Sequence, residues 1–282
     1  MTIKTVGIIG SGIMGSGIAQ VAATSGYTVV LRSRKQESAD ATVAAMQKSL
    51  EKLVSKGRME EADATAAVAR VSATSALSDL ADCDLVIESV VEDLDTKLEL
   101  FDELDRVCKD GAILATNTST LPVIEMAVKT SRPERVCGVH FFNPAPMMSL
   151  VEIIKTLVSS DETIAEVREF AEACGKGPVL VEDRAGFIVN ALLFPYLNNA
   201  VRMLENGTAR RDDIDTAMKG GCNFPMGPLA LLDLVGLDTS LSILDALYDE
   251  FRDPNYAAVP LLRRMVVAGH LGRKSGAGFY EY

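Results

Sequence analysis

The chain has 282 residues, of which 48% are hydrophobic and 24% are charged, and its formal net charge at pH 7 is -11. This length is enough for two domains with a sizeable core. The acidic balance argues against a general nucleic-acid surface or an anionic-membrane surface, although a local basic patch would still bind an anionic ligand. No apolar run approaches the roughly 18 residues of a membrane span, so we expect neither a span nor a signal peptide.

Near its start the sequence predicts a strand, a glycine-rich turn and a helix. Thr5–Ile9 is a short, β-branched apolar run, and Gly10, Gly12 and Gly15 follow it with the spacing G-x-G-x-x-G. In this motif the first glycine allows a tight turn, the second lets the backbone approach a pyrophosphate, and the third lets the helix pack closely on the sheet. A second apolar run, Tyr27–Leu31, completes a βαβ unit. We therefore expect a dinucleotide site, with phosphate at the N-terminus of the helix.

The end of the second predicted strand lacks the acidic residue that often holds the adenosine ribose in dinucleotide folds. The chain reads Arg32-Ser33-Arg34-Lys35 at this point, and the first carboxylate after the strand belongs to Glu37. One interpretation is a solvated turn in an enzyme that uses NAD(H), with Glu37 reaching back to the ribose. We favour a pocket for the 2′-phosphate of NADP(H), because the Arg34 guanidinium can meet a phosphate with two parallel hydrogen bonds.

Two helices are predicted after this turn, over residues 39–56 and 58–70. They form an insertion at about residues 39–70 that a plain dinucleotide-binding fold does not need. The first of them carries three lysines at helical spacing: Lys48, Lys52 and Lys56. These lysines are either a solvated face or one basic flank suited to a phosphorylated ligand.

Polar side chains follow two apolar strands further along the chain. Glu92 comes after the predicted strand 84–91, and a polar cluster at 116–120 follows the predicted strand 112–115. Because ligands collect at the carboxyl ends of strands in open α/β sheets, we expect both groups to face a ligand. Serine and threonine also cap helices, so one hydroxyl of this cluster can cap while another binds.

His140 is one of only two histidines, and it ends an apolar strand just before Phe-Phe-Asn143-Pro144. Histidine titrates near neutrality and suits proton transfer. A single histidine on a strand is more often a hydrogen-bonded core residue, but Glu152 lies on the next predicted strand, 150–155. A carboxylate bonded to a neutral imidazole fixes its tautomer and stabilises the imidazolium. We therefore expect an acid–base pair, although the spacing leaves open whether the two side chains touch.

The composition changes near Arg184, after which only helical patterns occur. We expect an α/β protein: a Rossmann-like dinucleotide-binding domain over residues 1–184, with its helical insertion, and an all-α domain over residues 185–282. Asn190 is polar inside a largely apolar helix, where it is either a capping or solvent-facing residue or an amide that points into the cleft between the domains. The apolar helices of so small a domain need cover, so we expect a homodimer built on this region.

The five cysteines are scattered along the chain and form no close pair: Cys83, Cys108, Cys137, Cys174 and Cys222. This distribution argues against both a disulfide framework and a metal site. It is typical of reduced thiols in a cytoplasmic protein.

These pieces, in this order, resemble the L-3-hydroxyacyl-CoA dehydrogenase family, and in particular its short bacterial members, over essentially the whole chain. The motifs that carry the resemblance are G-x-G-x-M-G-x-G-I-A at 10–19, Asn-Thr-Ser at 117–119, His-Phe-Phe-Asn-Pro at 140–144, Leu-Val-Glu at 150–152, Gly-Phe-Ile-Val-Asn at 186–190, Pro-Met-Gly-Pro at 225–228 and Lys-Ser-Gly-x-Gly-Phe-Tyr at 274–280. Together they are highly specific.

The resemblance implies hydride transfer with NAD(P) between a 3-oxoacyl-CoA and an (S)-3-hydroxyacyl-CoA, which is 3-hydroxybutyryl-CoA for the short bacterial members. It implies that His140 and Glu152 are the acid–base pair and that Ser119 and Asn190 hold the substrate oxygen. The family's cofactor contacts fall on Gly10, Gly12, Ile13, Met14, Gly15, Glu92, Lys97, Asn117, Ser119, Asn143 and Lys274. Its acyl-CoA contacts in the insertion match Ser49 and Lys56. Its ribose-binding aspartate matches Ser33, which is the one clear departure.

Two other functions are weighed against this one. The first is a dehydrogenase of a non-thioester hydroxy acid or sugar acid, against which Ser49 and Lys56 argue weakly because they favour CoA. The second is a dinucleotide-binding protein without turnover, against which the intact set of His140, Glu152, Ser119 and Asn190 argues. The sequence leaves the acyl chain length, the favoured direction and the pathway open.

Overall fold

The computed structural model describes residues 3–282 and divides the chain into two compact units. The first ends at Asp183, and the second spans Arg184–Tyr282. The predicted fold class is confirmed: the first unit is a Rossmann-like α/β structure, and the second is helical. Within residues 3–282, no helix is long and apolar enough to cross a membrane.

The first unit is built on an eight-stranded sheet. In chain order its strands are β1 (Thr5–Ile9), β2 (Thr28–Arg32), β3 (Val71–Thr74), β4 (Leu85–Glu88), β5 (Ile113–Thr116), β6 (Val136–Phe141), β7 (Leu150–Lys155) and β8 (Gly177–Glu182). They lie in the order β3-β2-β1-β4-β5-β6-β7-β8. Every neighbouring pair is parallel except β6 and β7, which are antiparallel.

Six α-helices accompany these strands within the described part of the first unit: α1 (Ile13–Thr24), α2 (Gln36–Ser55), α3 (Glu61–Ala69), α4 (Leu94–Val107), α5 (Val123–Val128) and α6 (Asp161–Ala173). The central strands β4, β5 and β6 are buried along their whole length. Parallel strands covered on both faces read as continuous apolar runs, which is why the sequence revealed them.

Two short elements escaped the sequence analysis. The strand β3 has four residues, Val-Ser-Ala-Thr, and lies at the edge of the sheet, so no apolar run marks it. The helix α5 has six residues, and its first backbone N–H groups are not capped locally. The Asp183 carboxylate accepts from Val123 N at 3.1 Å and from Ile124 N at 2.7 Å. A cap from sixty residues away leaves no local signal.

The second unit contains five α-helices: α7 (Val189–Glu205), α8 (Arg211–Cys222), α9 (Pro228–Val235), α10 (Leu237–Phe251) and α11 (Pro260–Val267). Two buried carboxylates fix the end of the chain to these helices. Asp233 accepts from Phe279 N and Tyr280 N, each at 2.8 Å, and Asp215 accepts from the Tyr280 hydroxyl at 2.9 Å. The C-terminal segment is therefore docked on its own unit.

All five cysteines are free thiols, and only Cys222 is exposed. Burial raises the pKa of the Cys83 thiol to about 12 and that of Cys174 to about 11. Buried thiols with such pKa values stay protonated at neutral pH and react slowly.

Candidate active site

The register of β6 and β7 brings His140 and Glu152 together. The two residues are direct partners in this antiparallel pair, and His140 Nδ1 lies 2.7 Å from Glu152 Oε2. Both side chains are buried, at 7% and 0% exposure. Because a carboxylate only accepts, Nδ1 is the donor of this hydrogen bond, and in a neutral imidazole Nε2 is then an acceptor. The structure thus makes the contact that the spacing left open.

Ser119 lies next to this pair, with its Oγ 3.4 Å from His140 Nε2. The Glu92 carboxylate holds the backbone of this segment: its Oε1 accepts from Ser119 N at 2.8 Å and from Thr118 Oγ1 at 2.5 Å. Thr118 Oγ1 in turn accepts from Leu121 N at 3.0 Å. One hydroxyl of the polar cluster therefore closes the turn, while the Ser119 hydroxyl is directed at the imidazole.

Asn117 joins the carboxyl ends of three strands. Its backbone N–H donates to Glu88 O at 2.7 Å, and its side-chain Oδ1 accepts from Phe141 N at 2.9 Å. Its Nδ2 lies 3.3 Å from Ser89 Oγ. The sequence suggested a cofactor contact at Asn117, and the structure adds a role in holding β4, β5 and β6 together.

A buried ion pair lies behind the Ser119 segment, and the sequence analysis missed one of its members. Lys97, on α4, is fully buried and bonds both carboxylate oxygens of Glu88 at 2.9 Å. Lys97 Nζ also lies 3.3 Å from Glu92 Oε2. Glu88, itself fully buried, accepts from Thr116 Oγ1 at 2.7 Å and from Val90 N at 2.6 Å. The sequence did contain a signal for the role of Glu88, because a carboxylate at the end of an apolar strand that is buried on both faces needs a partner.

Each of the three positions of the turn is suited to glycine for a different structural reason. Gly10 has a φ of 117°, and a Cβ there would lie 2.2 Å from Ser89 O. A Cβ on Gly15 would lie 2.0 Å from Gly10 O, so its close contact is with the turn itself rather than with the sheet as expected. A Cβ on Gly12 would meet no protein atom within 4 Å. No protein contact requires glycine at that position, and a bound pyrophosphate would fill the open space beside the N-terminus of α1.

The turn after β2 is held by a pair of hydroxyls. Ser33, which replaces the family's aspartate, is buried, and its Oγ lies 2.9 Å from Ser11 Oγ in the glycine turn. Arg34 and Lys35 are exposed. The helix α2 begins directly after them with no side-chain cap, so two cations directly precede its first N–H groups in the chain. Glu37 lies in the first turn of α2 and is also exposed.

A cleft of about 460 Å³ lies between the glycine turn and α2. Its lining residues on α1 and the turn are Ser11, Gly12, Ile13 and Ser16, and those on α2 are Ser38, Ala41, Thr42 and Ala45. Ser49 follows Ala45 by four residues, so helical spacing puts it on the face of α2 that lines the cleft. Lys56 is the C-cap of α2, and both Ser49 and Lys56 are exposed.

Three further predicted site residues are divided between the two units. Asn143 follows β6 and is exposed. In the second unit, Asn190 is the second residue of α7 and is buried, and Lys274 Nζ bonds Asp238 Oδ2 at 2.6 Å. Among the described residues, no group of three or more His, Cys, Asp or Glu side chains is arranged to hold a metal ion.

Comparison with known proteins gives matches to both units. A family model described as the NAD binding domain of 3-hydroxyacyl-CoA dehydrogenase matches residues 5–184, and one described as its C-terminal domain matches residues 186–282. A 3-hydroxybutyryl-CoA dehydrogenase from Clostridioides difficile is 49% identical over 275 residues, which is 98% of each chain.

Two solved structures share the fold over the whole chain. FadB2 of Mycobacterium tuberculosis has a TM-score of 0.97 and 48% identity, and the match covers 100% of each chain. The (S)-3-hydroxybutyryl-CoA dehydrogenase PaaH1 of Ralstonia eutropha has a TM-score of 0.98 and 43% identity, covering 100% of this chain and 99% of that one.

Proposed function

The chain belongs to the 3-hydroxyacyl-CoA dehydrogenase family, and from this premise we propose its substrate, its catalytic groups and its cofactor preference. It is an oxidoreductase that interconverts hydroxyacyl-CoA and oxoacyl-CoA thioesters with a nicotinamide dinucleotide. Membership in this family favours this reaction over the oxidation of a non-thioester hydroxy acid or sugar acid, and over dinucleotide binding without turnover. The substrate that we propose is (S)-3-hydroxybutyryl-CoA with its product acetoacetyl-CoA, because the relatives that match at 49% and 43% identity carry that name.

The catalytic proposal depends on the buried hydrogen bond between His140 and Glu152. The nicotinamide, when bound, supplies the hydride chemistry. In oxidation, His140 Nε2 takes the proton from the substrate hydroxyl, and Glu152 stabilises the imidazolium that forms. In reduction, His140 returns that proton. We propose that Ser119 Oγ, which lies 3.4 Å from Nε2, donates a hydrogen bond to the same substrate oxygen.

Asn190 is proposed as a second donor to the substrate oxygen. Its support is the match of Gly-Phe-Ile-Val-Asn at 186–190 to the family motif. The dinucleotide contacts that we propose lie on the glycine turn, Glu92, Asn117, Asn143 and Lys274. Lys97, which the family pattern also includes, is fully buried and would act on the dinucleotide through Glu92. The open space beside Gly12 and the unpaired first turn of α1 fit a pyrophosphate.

We propose that CoA lies along the exposed face of α2. Ser49 is on the face of α2 that lines the cleft beside the glycine turn, and Lys56 is the C-cap of the same helix. Lys48 and Lys52 add positive charge to the same helix of an otherwise acidic protein. A local positive potential attracts an anionic ligand and raises its local concentration.

NADP(H) is the dinucleotide that we propose as preferred over NAD(H). Ser33 lacks the carboxylate that would accept from both ribose hydroxyls, and it lacks the negative charge that repels a 2′-phosphate. Arg34, Lys35 and the uncapped first turn of α2 supply donors for that phosphate. The alternative is an NAD(H) enzyme in which the exposed Glu37 binds the ribose.

We also propose an oligomeric state and a cellular location, each with its own support. A homodimer built on the second unit is supported by large apolar side chains exposed there: Leu192, Met203, Phe224, Leu234 and Val267.

A cytoplasmic location is supported by the five free thiols. Recovery of the native protein in a membrane or periplasmic fraction would contradict that location.

Replacing His140 with Gln is expected to lower kcat by about 10²–10⁴, the usual scale for loss of a general acid–base group. The measurement is nucleotide absorbance with acetoacetyl-CoA. Cofactor affinity is expected to stay the same, because the glycine turn is untouched. The matched control is His270→Gln, since His270 is the other histidine and is exposed. Turnover of His140→Gln within about threefold of the parent would exclude the assigned role.

Lys56→Ala is expected to raise the KM for acetoacetyl-CoA about fivefold at low salt, which corresponds to about 1 kcal/mol. The KM for the nucleotide is expected not to change, and the effect is expected to shrink as salt rises. Lys129→Ala is the control, because Lys129 is also exposed just after a helix, α5. An unchanged KM for the acyl-CoA at low ionic strength would place CoA elsewhere.

Arg34→Ala tests the cofactor preference. We expect the parent to have the higher kcat/KM with NADPH, and the variant to lose about tenfold of the NADPH-to-NADH ratio, which is about 1.4 kcal/mol. Glu37→Gln is the matched variant for the alternative, and it is expected to leave the ratio unchanged. A parent that prefers NADH, or a ratio that depends on Glu37, would show that this turn is only a charged loop.

Light scattering at micromolar concentration is expected to give twice the chain mass of 30.2 kDa. The physical reason is the apolar surface exposed on the second unit, which a partner copy would cover. A mass of one chain across the micromolar range would contradict the dimer.

A further inference from the structure

The ion cluster behind Ser119 consists of Glu88, Lys97 and Glu92 and links the sheet to the catalytic segment. Glu88 and Lys97 are both 0% exposed, whereas the Glu92 side chain is 38% exposed. Removing two charges from water is costly, and buried ion pairs often add no net stability. A stabilising role alone therefore gives a weak reason for this pair.

Lys97 contacts two carboxylates, and Glu92 contacts both Lys97 and the backbone at Ser119. Lys97 Nζ lies 2.9 Å from each oxygen of Glu88 and 3.3 Å from Glu92 Oε2. The other oxygen of Glu92 accepts from Ser119 N and Thr118 Oγ1. A buried ammonium needs a counter-charge, so neutralising Glu88 leaves Glu92 as the only carboxylate of the cluster to pair with Lys97. Glu92 would then move toward Lys97 and loosen its hold on the Ser119 backbone.

We propose that Glu88 is a positioning residue for the reaction, because it fixes Lys97 and thereby lets Glu92 hold Ser119 against His140. This inference rests on the proposed role of Ser119 as a donor to the substrate oxygen. It assigns Glu88 to the reaction without contact with substrate or cofactor. The chain of contacts runs from Thr116 and Val90 N through Glu88, Lys97 and Glu92 to Ser119 N, with one hydrogen bond or ion pair at each step.

The test compares Glu88→Gln with Ser119→Ala and with the double variant. Glutamine keeps the volume of the side chain and removes its charge. We expect Glu88→Gln to lower kcat about tenfold and to leave the KM for acetoacetyl-CoA within twofold, because α2 is untouched. We expect the double variant to have the kcat of Ser119→Ala within twofold, since Glu88 acts through Ser119. Multiplicative losses, or a loss in Glu88→Gln with none in Ser119→Ala, would overturn the inference.

The matched control is Asp84→Asn, which removes a charge just before the start of the same strand. Asp84 accepts from Lys109 Nζ at 2.6 Å and from the backbone N–H groups of Lys4 and Thr5. Burial alone would raise the pKa of Asp84, but these hydrogen bonds lower it overall. We expect this variant to lose stability and to keep the parent kcat, because it is at the opposite end of β4 from Ser119.

Hydrogen exchange measured by NMR supplies a readout that needs no turnover. The Ser119 amide is expected to exchange faster in Glu88→Gln and at the parent rate in Asp84→Asn, because only the first change frees it from Glu92. A parent without activity on acetoacetyl-CoA would refute the proposed function, whereas unchanged Ser119 exchange in Glu88→Gln would refute this inference. If Glu88→Gln does not fold, Thr116→Val removes one donor to Glu88. It is expected to act in the same direction, with Thr116→Ser restoring the parent behaviour.

Discussion

The antiparallel register of β6 and β7 is the constraint on which the site depends. Because His140 and Glu152 are direct partners in this register, their side chains leave the same face of the sheet at hydrogen-bond distance. A slip of one residue would turn every side chain of one strand to the other face. Both faces of these strands are buried, so a slip would move Glu152 onto the face now filled by the apolar residues Val139, Val151 and Ile153, where a carboxylate separated from its partner is costly. Packing therefore fixes the geometry of the acid–base pair.

The remaining groups of the site are held in other ways. The glycine turn gets its shape from close backbone contacts, in which Gly10 and Gly15 have no room for a Cβ. The Ser119 segment is held by the carboxylate of Glu92, which is half of an ion pair with Lys97. A sheet register and a backbone turn change little when one side chain is replaced. An ion cluster changes with a single charge, so the position of Ser119 is the most easily perturbed feature of the site.

The sequence predicted the parts of the molecule that are encoded locally. The strand–turn–helix at Gly10–Gly15, the buried strands and the chemical types of His140 and Glu152 all have a signal within a few residues. The parts that it missed depend on distant partners. Asp183 caps a helix sixty residues earlier, and Glu88 is satisfied by Lys97 and by Thr116, 28 residues away. Residue types alone do not say which distant groups meet, so these roles required the three-dimensional arrangement.

In the turn after β2, the effect of having Ser33 in place of the family's aspartate depends on the residues around it. Read from the sequence, Ser33 is the loss of a carboxylate. In the structure its hydroxyl bonds Ser11 Oγ and so ties this turn to the glycine turn. The turn that presents Arg34 and Lys35 is therefore anchored, while both cations stay exposed to solvent. A cation on an anchored turn loses less conformational entropy when it binds a phosphate than one on a mobile loop. In the NADP(H) pocket that we propose, the same serine would therefore both remove the repulsion of a 2′-phosphate and help to preorganise the groups that attract it.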